Sequence, residues 1–451
     1  MAVDTAAGAG ALHFGMMVRR HRIRIGLTQR ELADFSTISV RAIRDIEQGR
    51  ARRPRTDTVR LLADGLRLGP RARAAFETAA NRGMAGRALK EGFRAEPPGP
   101  PAVLDPIVGR EREAAVIEDE LGSGAERLIT IVGLGGVGKT RLAVEVAGRL
   151  RAAARFPVLW YTMPGSSART GGDLAGGDFT DVTRGCVEDV FGSGDGQGVG
   201  AFAELAGDGP ALLVVDGLGR PEPRPDRLAR LLRECPDLRL LVTADEPCGV
   251  RGERQFLLAP LETTGPDGEP ADAPAVRLFH DLADRTARRA RRTPAETALA
   301  AEICRRLDGV PLALRAAASW LLIYDLETLL RCLAAGPAEL LDHLAGTDGA
   351  SGLREALERC VGRLPAADAE LLSVLSAGDG GFSLDDVVAL TGRSLPASGR
   401  VVRDLLLRGL VRTSQEPGRP PFQVLETVRA TAARVPEQLP FGAPHRVSHG
   451  L

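Results

Sequence analysis

One eight-residue stretch constrains this chain more than any other: Gly133-Leu134-Gly135-Gly136-Val137-Gly138-Lys139-Thr140, which fits the spacing G-x-x-x-x-G-K-[ST]. The flanks agree with it. Arg127 to Val132 reads as a buried strand and Arg141 to Leu150 as an amphipathic helix, the strand, loop, helix context that the motif requires. Lys139 is one of only two lysines among 59 Lys and Arg residues, so a chain that otherwise uses arginine keeps lysine here. The glycines let the backbone curl until successive N–H groups and a helix N-terminus face a phosphate group. Lys139 adds a compact charge at the β and γ phosphates, Thr140 offers a hydroxyl to Mg2+, and the region is expected to hold a nucleoside triphosphate or diphosphate.

At 451 residues, 44% of them hydrophobic, the chain is long enough for about three domains with real cores. Its formal charge balances to zero, yet residues 1–94 carry 18 Arg and one Lys against nine Asp or Glu. The basic excess therefore sits at the N-terminus, where it bears on partners. Six cysteines (Cys186, Cys235, Cys248, Cys304, Cys332, Cys360) include no CxxC pair and share no ligand spacing with the six histidines, so reduced structural thiols are expected. No stretch approaches 18 uncharged apolar residues, and Met1-Ala-Val-Asp4 lacks a positive n-region. A soluble cytoplasmic protein with no membrane partner is the expectation.

The basic head reads as five helices. Phe14 to Ile25 has helical spacing; Thr28 caps a second helix to about Phe35, with Glu31 completing a capping box; Ser39 caps a third, Val40 to Glu47, ending before Gly49. Thr56 to Leu66 and Arg71 to Ala80 supply two more. Residues 12–82 thereby resemble the helix-turn-helix of phage-repressor (XRE-type) regulators, on Leu27-Thr28-Gln29, core-facing Ile43 and Ile46, Ile46-Glu47-Gln48-Gly49, and Arg52-Arg53-Pro54-Arg55. The resemblance implies binding of double-stranded DNA with the third helix in the major groove. Val40, Arg41 and Arg44 would then face base edges, Ser39 would join them at the helix start, and Gln29 and Arg53 would touch phosphate or the minor groove. A solvated helical bundle or a protein-interaction module is the alternative for this head.

Residues 83–106, with Pro97-Pro98-Gly99-Pro100-Pro101, read as a semi-rigid linker. Beyond the phosphate loop, Pro210 to Asp216 is an apolar strand ending in a carboxylate, and Leu238 to Thr243 is a third buried strand. Residues 163–209 are Gly- and Asp-rich around a helical patch from Val182 to Phe191, and 262–274 is a turn-rich connection. Ala275 to Leu344 is helical nearly throughout. The last part comprises helices Ala367 to Ser376, Ser383 to Thr391 and Val401 to Arg408, then a hairpin through Leu410 to Leu425. The plan is a multidomain α plus α/β chain: a five-helix head, a nucleotide module with a parallel sheet (107–262), a helical domain (275–345), a winged helix (350–435) and a Pro-rich tail (436–451).

Val108-Gly109-Arg110, the phosphate loop, Asp216, Leu258-Ala-Pro260-Leu261, Leu307-Asp-Gly309-Val-Pro311-Leu312 and Leu425-Glu426-Thr427-Val428-Arg429 follow in an order that resembles the NB-ARC branch of the STAND ATPases, over residues 107–435. The resemblance implies that Val108 and Arg110 lie near the base, that Gly133 to Thr140 and Arg141 surround the phosphates, that Asp216 holds Mg2+ with Thr140 and is the catalytic candidate, and that Pro311 lies against the adenine. It further implies ATP and ADP as alternating ligands, with self-association on activation. Relatives usually continue into sensor repeats, so the expectation is a sensor that is absent or supplied by another protein.

Three departures bear on turnover. After Asp216 the chain reads Gly-Leu-Gly, without a second acid, and Glu222 lies beyond Pro221; Asp245 stands where the family often has an arginine, so it is expected to repel a triphosphate; and Leu425-Glu426-Thr427 offers no histidine to the β-phosphate. Slow hydrolysis or none is expected. The reading is a DNA-binding transcription regulator gated by nucleotide, with two alternatives: a signalling ATPase whose head recruits a protein, and a degenerate member holding ADP as a structural ligand.

Overall fold

The structure, a computed structural model, describes residues 18–19, 21–22, 25–47, 55–68, 73, 100–101, 105–153, 156–163, 191, 210–219, 225–265, 268–286, 293–335, 350–378, 380–414 and 420–432. Most of the expected first helix, Gln48 and Gly49, Arg53, the fifth head helix apart from Arg73, nearly all of the linker, the patch 182–190, Glu222 and the tail lie outside the described residues. The chain divides into two units, one containing residues 1–99 and the other most of the chain from residue 100 onward.

In the first unit, helices α1 (Gln29–Ser36) and α2 (Val40–Glu47) start where the capping residues Thr28 and Ser39 put them, and α3 (Thr56–Gly65) follows without a side-chain cap. The Thr28 hydroxyl accepts from the Glu31 amide at 3.2 Å while the Glu31 carboxylate accepts from the Thr28 amide at 2.7 Å, closing the capping box. Thr37, at φ 55°, ends α1 in the left-handed conformation, and the Ser39 hydroxyl accepts from the Ala42 amide at 3.2 Å to start α2. Leu32, Ile43, Ile46, Val59 and Leu62 fill the small core of this unit, so α1 and α2 are fixed by their buried faces.

The second unit is built on a five-stranded, all-parallel sheet: β1 (Leu128–Val132), β2 (Val158–Thr162), β3 (Ala211–Leu218), β4 (Leu238–Ala244) and β5 (Arg254–Leu257), in the order β2-β3-β4-β1-β5. β1 is buried on both faces, and β3 and β4 nearly so, as their unbroken apolar runs require. β2 and β5 are additions to the sequence reading; β5 is a short sheet edge with no buried residue, so it carries no apolar run to be found. Helices α4 (Glu111–Ser123), α5 (Lys139–Ala152) and α6 (Pro225–Glu234) accompany the sheet.

The helical stretch beyond the sheet holds α7 (Pro274–Thr286), α8 (Pro294–Arg306), α9 (Pro311–Ser319) and α10 (Leu326–Ala334). After it come α11 (Ala350–Gly362), α12 (Ala366–Ala377), α13 (Leu384–Thr391), α14 (Leu395–Leu407), the antiparallel pair β6 (Val411–Thr413) and β7 (Phe422–Val424), and α15 (Glu426–Ala432). α14 begins six residues before the expected Val401, because Pro396 falls in the first turn, where its missing N–H is no loss. Sheet and helices share one continuous core, from Ala114 on α4 to Ala430 on α15, so the three expected domains of this part are not packed as separate cores. Among the described residues no helix is long and apolar enough to cross a membrane.

Asp308, in the turn between α8 and α9, ties this core to its last helix. It holds φ 53°, is 1% exposed, and accepts from the Glu426 amide (3.1 Å), the Thr427 amide (2.8 Å) and the Thr427 hydroxyl (2.9 Å). Burial pushes its carboxyl up to about 6, against the pull of those hydrogen bonds and of the Arg412 charge. Asp308→Ala leaves two buried amides without an acceptor and is expected to cost about 2–4 kcal/mol. Because the folded-state value lies above that of an ordinary Asp, the carboxyl's contribution is full below pH about 4 and lost as pH rises through about 6. The margin of the wild type over Asp308→Ala should therefore narrow by about 1 kcal/mol from pH 5 to pH 7 in denaturant unfolding followed by tryptophan fluorescence. A margin that widens over that range reverses the assigned sign.

Candidate functional site

Parallel strands in this order bring the carboxyl ends of β1, β4 and β3 side by side, and the loop 133–138 leaves the end of β1 to enter α5 at Lys139. Gly136 at φ +83° and Gly138 at φ +103° take backbone conformations that a side chain would strain, which is why the turn into α5 is written in glycine. The Lys139 ammonium donates to the carbonyls of Gly133 (2.6 Å) and Leu134 (3.2 Å) and lies 3.3 Å from Asp245 Oδ1. The Thr140 hydroxyl donates to Asp216 Oδ1 at 2.7 Å. Thr140 of the phosphate loop and Asp216 of β3, singled out from the sequence at separate places, thus meet, and the Lys139 charge acts on the same carboxyl.

Asp216 is fully buried. Its Oδ1 also accepts from the Thr243 hydroxyl at 2.7 Å, while its Oδ2 has no hydrogen-bond partner among the described residues. A β-bulge follows it: Gly217 turns to φ +77° and gives its amide to Thr243 Oγ1 at 2.7 Å. Burial pushes the Asp216 carboxyl up, opposed by Thr140, Thr243 and the Lys139 charge. A buried carboxylate oxygen with no partner, next to a threonine hydroxyl and a loop lysine, is the donor set that a hard divalent cation with bound phosphates requires, so these residues fit Mg2+.

Asp245 departs from expectation. It does not stand as a bare negative charge: Lys139 holds its Oδ1 and Arg363 Nη1 donates to its Oδ2 at 3.0 Å. Burial alone would raise the carboxyl, but the charges of Lys139 and Arg363 outweigh it and hold it below the ordinary carboxylate range. Thr243 and Arg363 were not singled out from the sequence, since a threonine in an apolar strand and one arginine among dozens carry no local signal.

Helices far along the chain cover the loop closely. A methyl group built on Gly135 would come 2.3 Å from Ala356 Cβ on α11, one on Gly136 would come 2.7 Å from Leu312 Cβ on α9, and one on Gly409 would come 2.6 Å from the Leu134 amide. The Leu312 amide donates to the Gly136 carbonyl at 3.2 Å. Leu134 and Val137 are buried, whereas Gly135 and Gly136 are half-buried. Pro311 opens α9 beside this contact.

The remaining expected residues have other partners. Arg110 is 8% exposed; its guanidinium donates to Glu113 at 2.8 Å and to the Ala259 carbonyl, while Val108 nearby is half-buried. Arg141 is held by Glu145 at 3.0 Å and by the Asp105 carbonyl at 2.7 Å. Neither arginine is brought into contact with Lys139, Thr140 or Asp216.

In the first unit Ser39, Arg41 and Arg44 are exposed and Val40 is half-buried along α2, the helix expected to read bases. The Gln29 side-chain amide also donates to Glu47 Oε2 at 2.6 Å, a contact within the domain that the sequence reading did not include. Arg22 pairs with the same carboxylate at 2.6 and 3.0 Å. Glu47 is 8% exposed, so this knot fixes the end of α2 against α1.

Glu47→Ala leaves the Arg22 charge and the Gln29 amide facing a buried gap, an expected loss of about 3 kcal/mol. Amide exchange in residues 29–47 should quicken roughly a hundredfold, and an unchanged rate removes the knot's assigned role. Gly409→Ala meets both a left-handed φ of +70° and the Leu134 amide. It should cost about 1–3 kcal/mol in global unfolding, whereas a neutral outcome would mean that the turn draws away from the loop without cost.

Residues 13–76 match the helix-turn-helix domain family. An uncharacterized protein of Mycobacterium bovis is 34% identical over 228 residues, 48% of this chain and 51% of that protein. A Mycobacterium tuberculosis protein provisionally named an HTH-type transcriptional regulator is 30% identical over 244 residues, 52% of this chain but 24% of its own length. The match thus spans about half of the first relative and about a quarter of the second. Among solved structures, a signal transduction ATPase with numerous domains (STAND) carrying a tetratricopeptide repeat sensor, from Pyrococcus horikoshii, aligns over 76% of this chain and 44% of its own, at 18% identity and TM-score 0.33. The ORC1 protein of Aeropyrum pernix, solved in complex with DNA, aligns over 73% of this chain and 92% of its own, at 16% identity and TM-score 0.36. The chain carries a helix-turn-helix domain over residues 13–76, ahead of a parallel α/β sheet with a phosphate-loop sequence and a set of helices packed on it.

Proposed function

We propose that this chain is a DNA-binding transcription regulator whose hold on double-stranded DNA is gated by ADP or ATP bound at the phosphate loop. The observation that carries the nucleotide part is the bond from the phosphate-loop Thr140 hydroxyl to Asp216, whose second, buried oxygen has no partner among the described residues. The DNA part rests on the helix-turn-helix match and on the exposed Ser39, Arg41 and Arg44 of α2. Lys139 and the amides of Gly135 to Thr140 would take the phosphates, and Thr140 with Asp216 would hold Mg2+, which supplies charge neutralisation at the phosphate oxygens.

Hydrolysis is expected to be slow or absent. No second acid follows Asp216, and Gly217 and Leu218 complete a strand end that offers no group to orient water. Nucleotide acts as a switch only through unequal affinity for two states of the protein. The close cover of the loop by α9, α11 and the turn at Gly409 suits such a state, in which helices and nucleotide share one surface. Exchange of ADP for ATP would loosen that cover and permit self-association.

The test is selection of duplexes from random DNA by the full chain at one stated salt concentration, with ADP, with a non-hydrolysable ATP analogue, and with Lys139→Ala. An enriched motif retained at least tenfold differently in the two nucleotides, with the difference lost in Lys139→Ala, is expected. A motif indifferent to nucleotide would leave ADP a structural ligand. Failure to enrich any motif would turn the head into a protein-recognition module.

A further inference from the structure

Asp245 stands one residue beyond β4, the strand that runs between β1 and β3, and so emerges beside the phosphate loop. Its two oxygens divide between two cations, Oδ1 at 3.3 Å from Lys139 Nζ and Oδ2 at 3.0 Å from Arg363 Nη1. Both cationic side chains are mostly buried, at 12% and 18% exposed, and Arg359 adds further positive charge. The neighbouring ion pair, Glu246 with Arg408 at 2.6 Å, is complete in itself. Take the Asp245 carboxylate away and two half-desolvated cations face one gap, which is the geometry of an anion site. The anion that a phosphate loop presents to its lysine is a phosphoryl group.

We infer that Asp245 is an internal stand-in for the terminal phosphate of a nucleoside triphosphate, filling the Lys139–Arg363 pair and so making this site select a diphosphate over a triphosphate. The inference rests on the nucleotide-binding reading above and specifies it. With a diphosphate, Lys139 exchanges a loop carbonyl, that of Gly133 or Leu134, for the β-phosphate while keeping Asp245, and Arg363 keeps its partner. A triphosphate brings its last phosphoryl group against the carboxylate. Asp245 must then swing out and release Arg363, or stay and repel, and each alternative weakens triphosphate binding alone. Arg363 becomes the residue through which the end of α11 feels which nucleotide is bound, since it follows that helix directly and Ala356 of the same helix lies on Gly135.

Titration calorimetry with the full chain, using Mg-ADP and Mg-bound non-hydrolysable ATP analogue, tests this in the wild type, Asp245→Asn, Arg363→Ala and the double variant. The wild type should bind ADP at least tenfold more tightly than the triphosphate. Asp245→Asn, which keeps the side chain's shape, should tighten the triphosphate at least tenfold while moving ADP less than threefold, and adding Arg363→Ala should abolish that gain. A merely structural ion pair would weaken both nucleotides alike in either single variant and leave the ratio where it was. An unchanged ratio with both nucleotides still bound overturns the inference and spares the nucleotide reading. Absence of binding heat for either nucleotide in both the wild type and Asp245→Asn overturns that reading, and the inference with it.

Discussion

The ammonium of Lys139 is the charge around which the larger unit is organised. It is mostly buried, and a buried ammonium must be answered by oxygen atoms. Here they come from the Gly133 and Leu134 carbonyls and from Asp245, with Asp216 one hydrogen bond further on through Thr140. All of these sit where β1, β3 and β4 end, because parallel strands in this order present their carboxyl ends together. Side chains given by three separate stretches of sequence are thereby set within hydrogen-bonding distance.

Helices later in the chain lie close over that loop. α9 touches Gly136, α11 touches Gly135 and the turn at Gly409 touches Leu134, each at a distance that leaves no room for a methyl group. Those helices belong to the same core as the sheet, and the Asp308 carboxylate fastens the start of α15 to the turn before α9. A change at Leu134, Gly135 or Gly136 therefore meets packed neighbours on later helices. Contiguous packing of this kind is the physical route that a nucleotide-dependent rearrangement would take.

Much of this was legible beforehand. The strands β1, β3 and β4 are apolar runs too short for helices, the capping boxes at Thr28 and Ser383 mark helix starts, and the hairpin of β6 and β7 lies within Leu410 to Leu425. β5 was not legible, because it has no buried residue; β2, a five-residue β-prone run between Pro157 and Pro164-Gly165, carried a signal that the sequence reading passed over. The bond from the Gln29 amide to Glu47 on the next helix was not legible either, because no local spacing announces it. Thr243 and Arg363 were invisible for a similar reason, since their importance lies in the groups that face them.

By itself the sequence determined the phosphate loop, the identity of Lys139, Thr140 and Asp216, and the helix-turn-helix spacing, because local backbone demands and periodic burial are written into neighbouring residues. Only the tertiary structure decided that Asp245 would be a partner of Lys139 and Arg363 and no free repelling charge, and that a single core would join sheet and helices. The sign of a charge is a property of the residue, but its effect depends on which opposite charges share its low-dielectric surroundings, and those arrive from residues more than a hundred positions away.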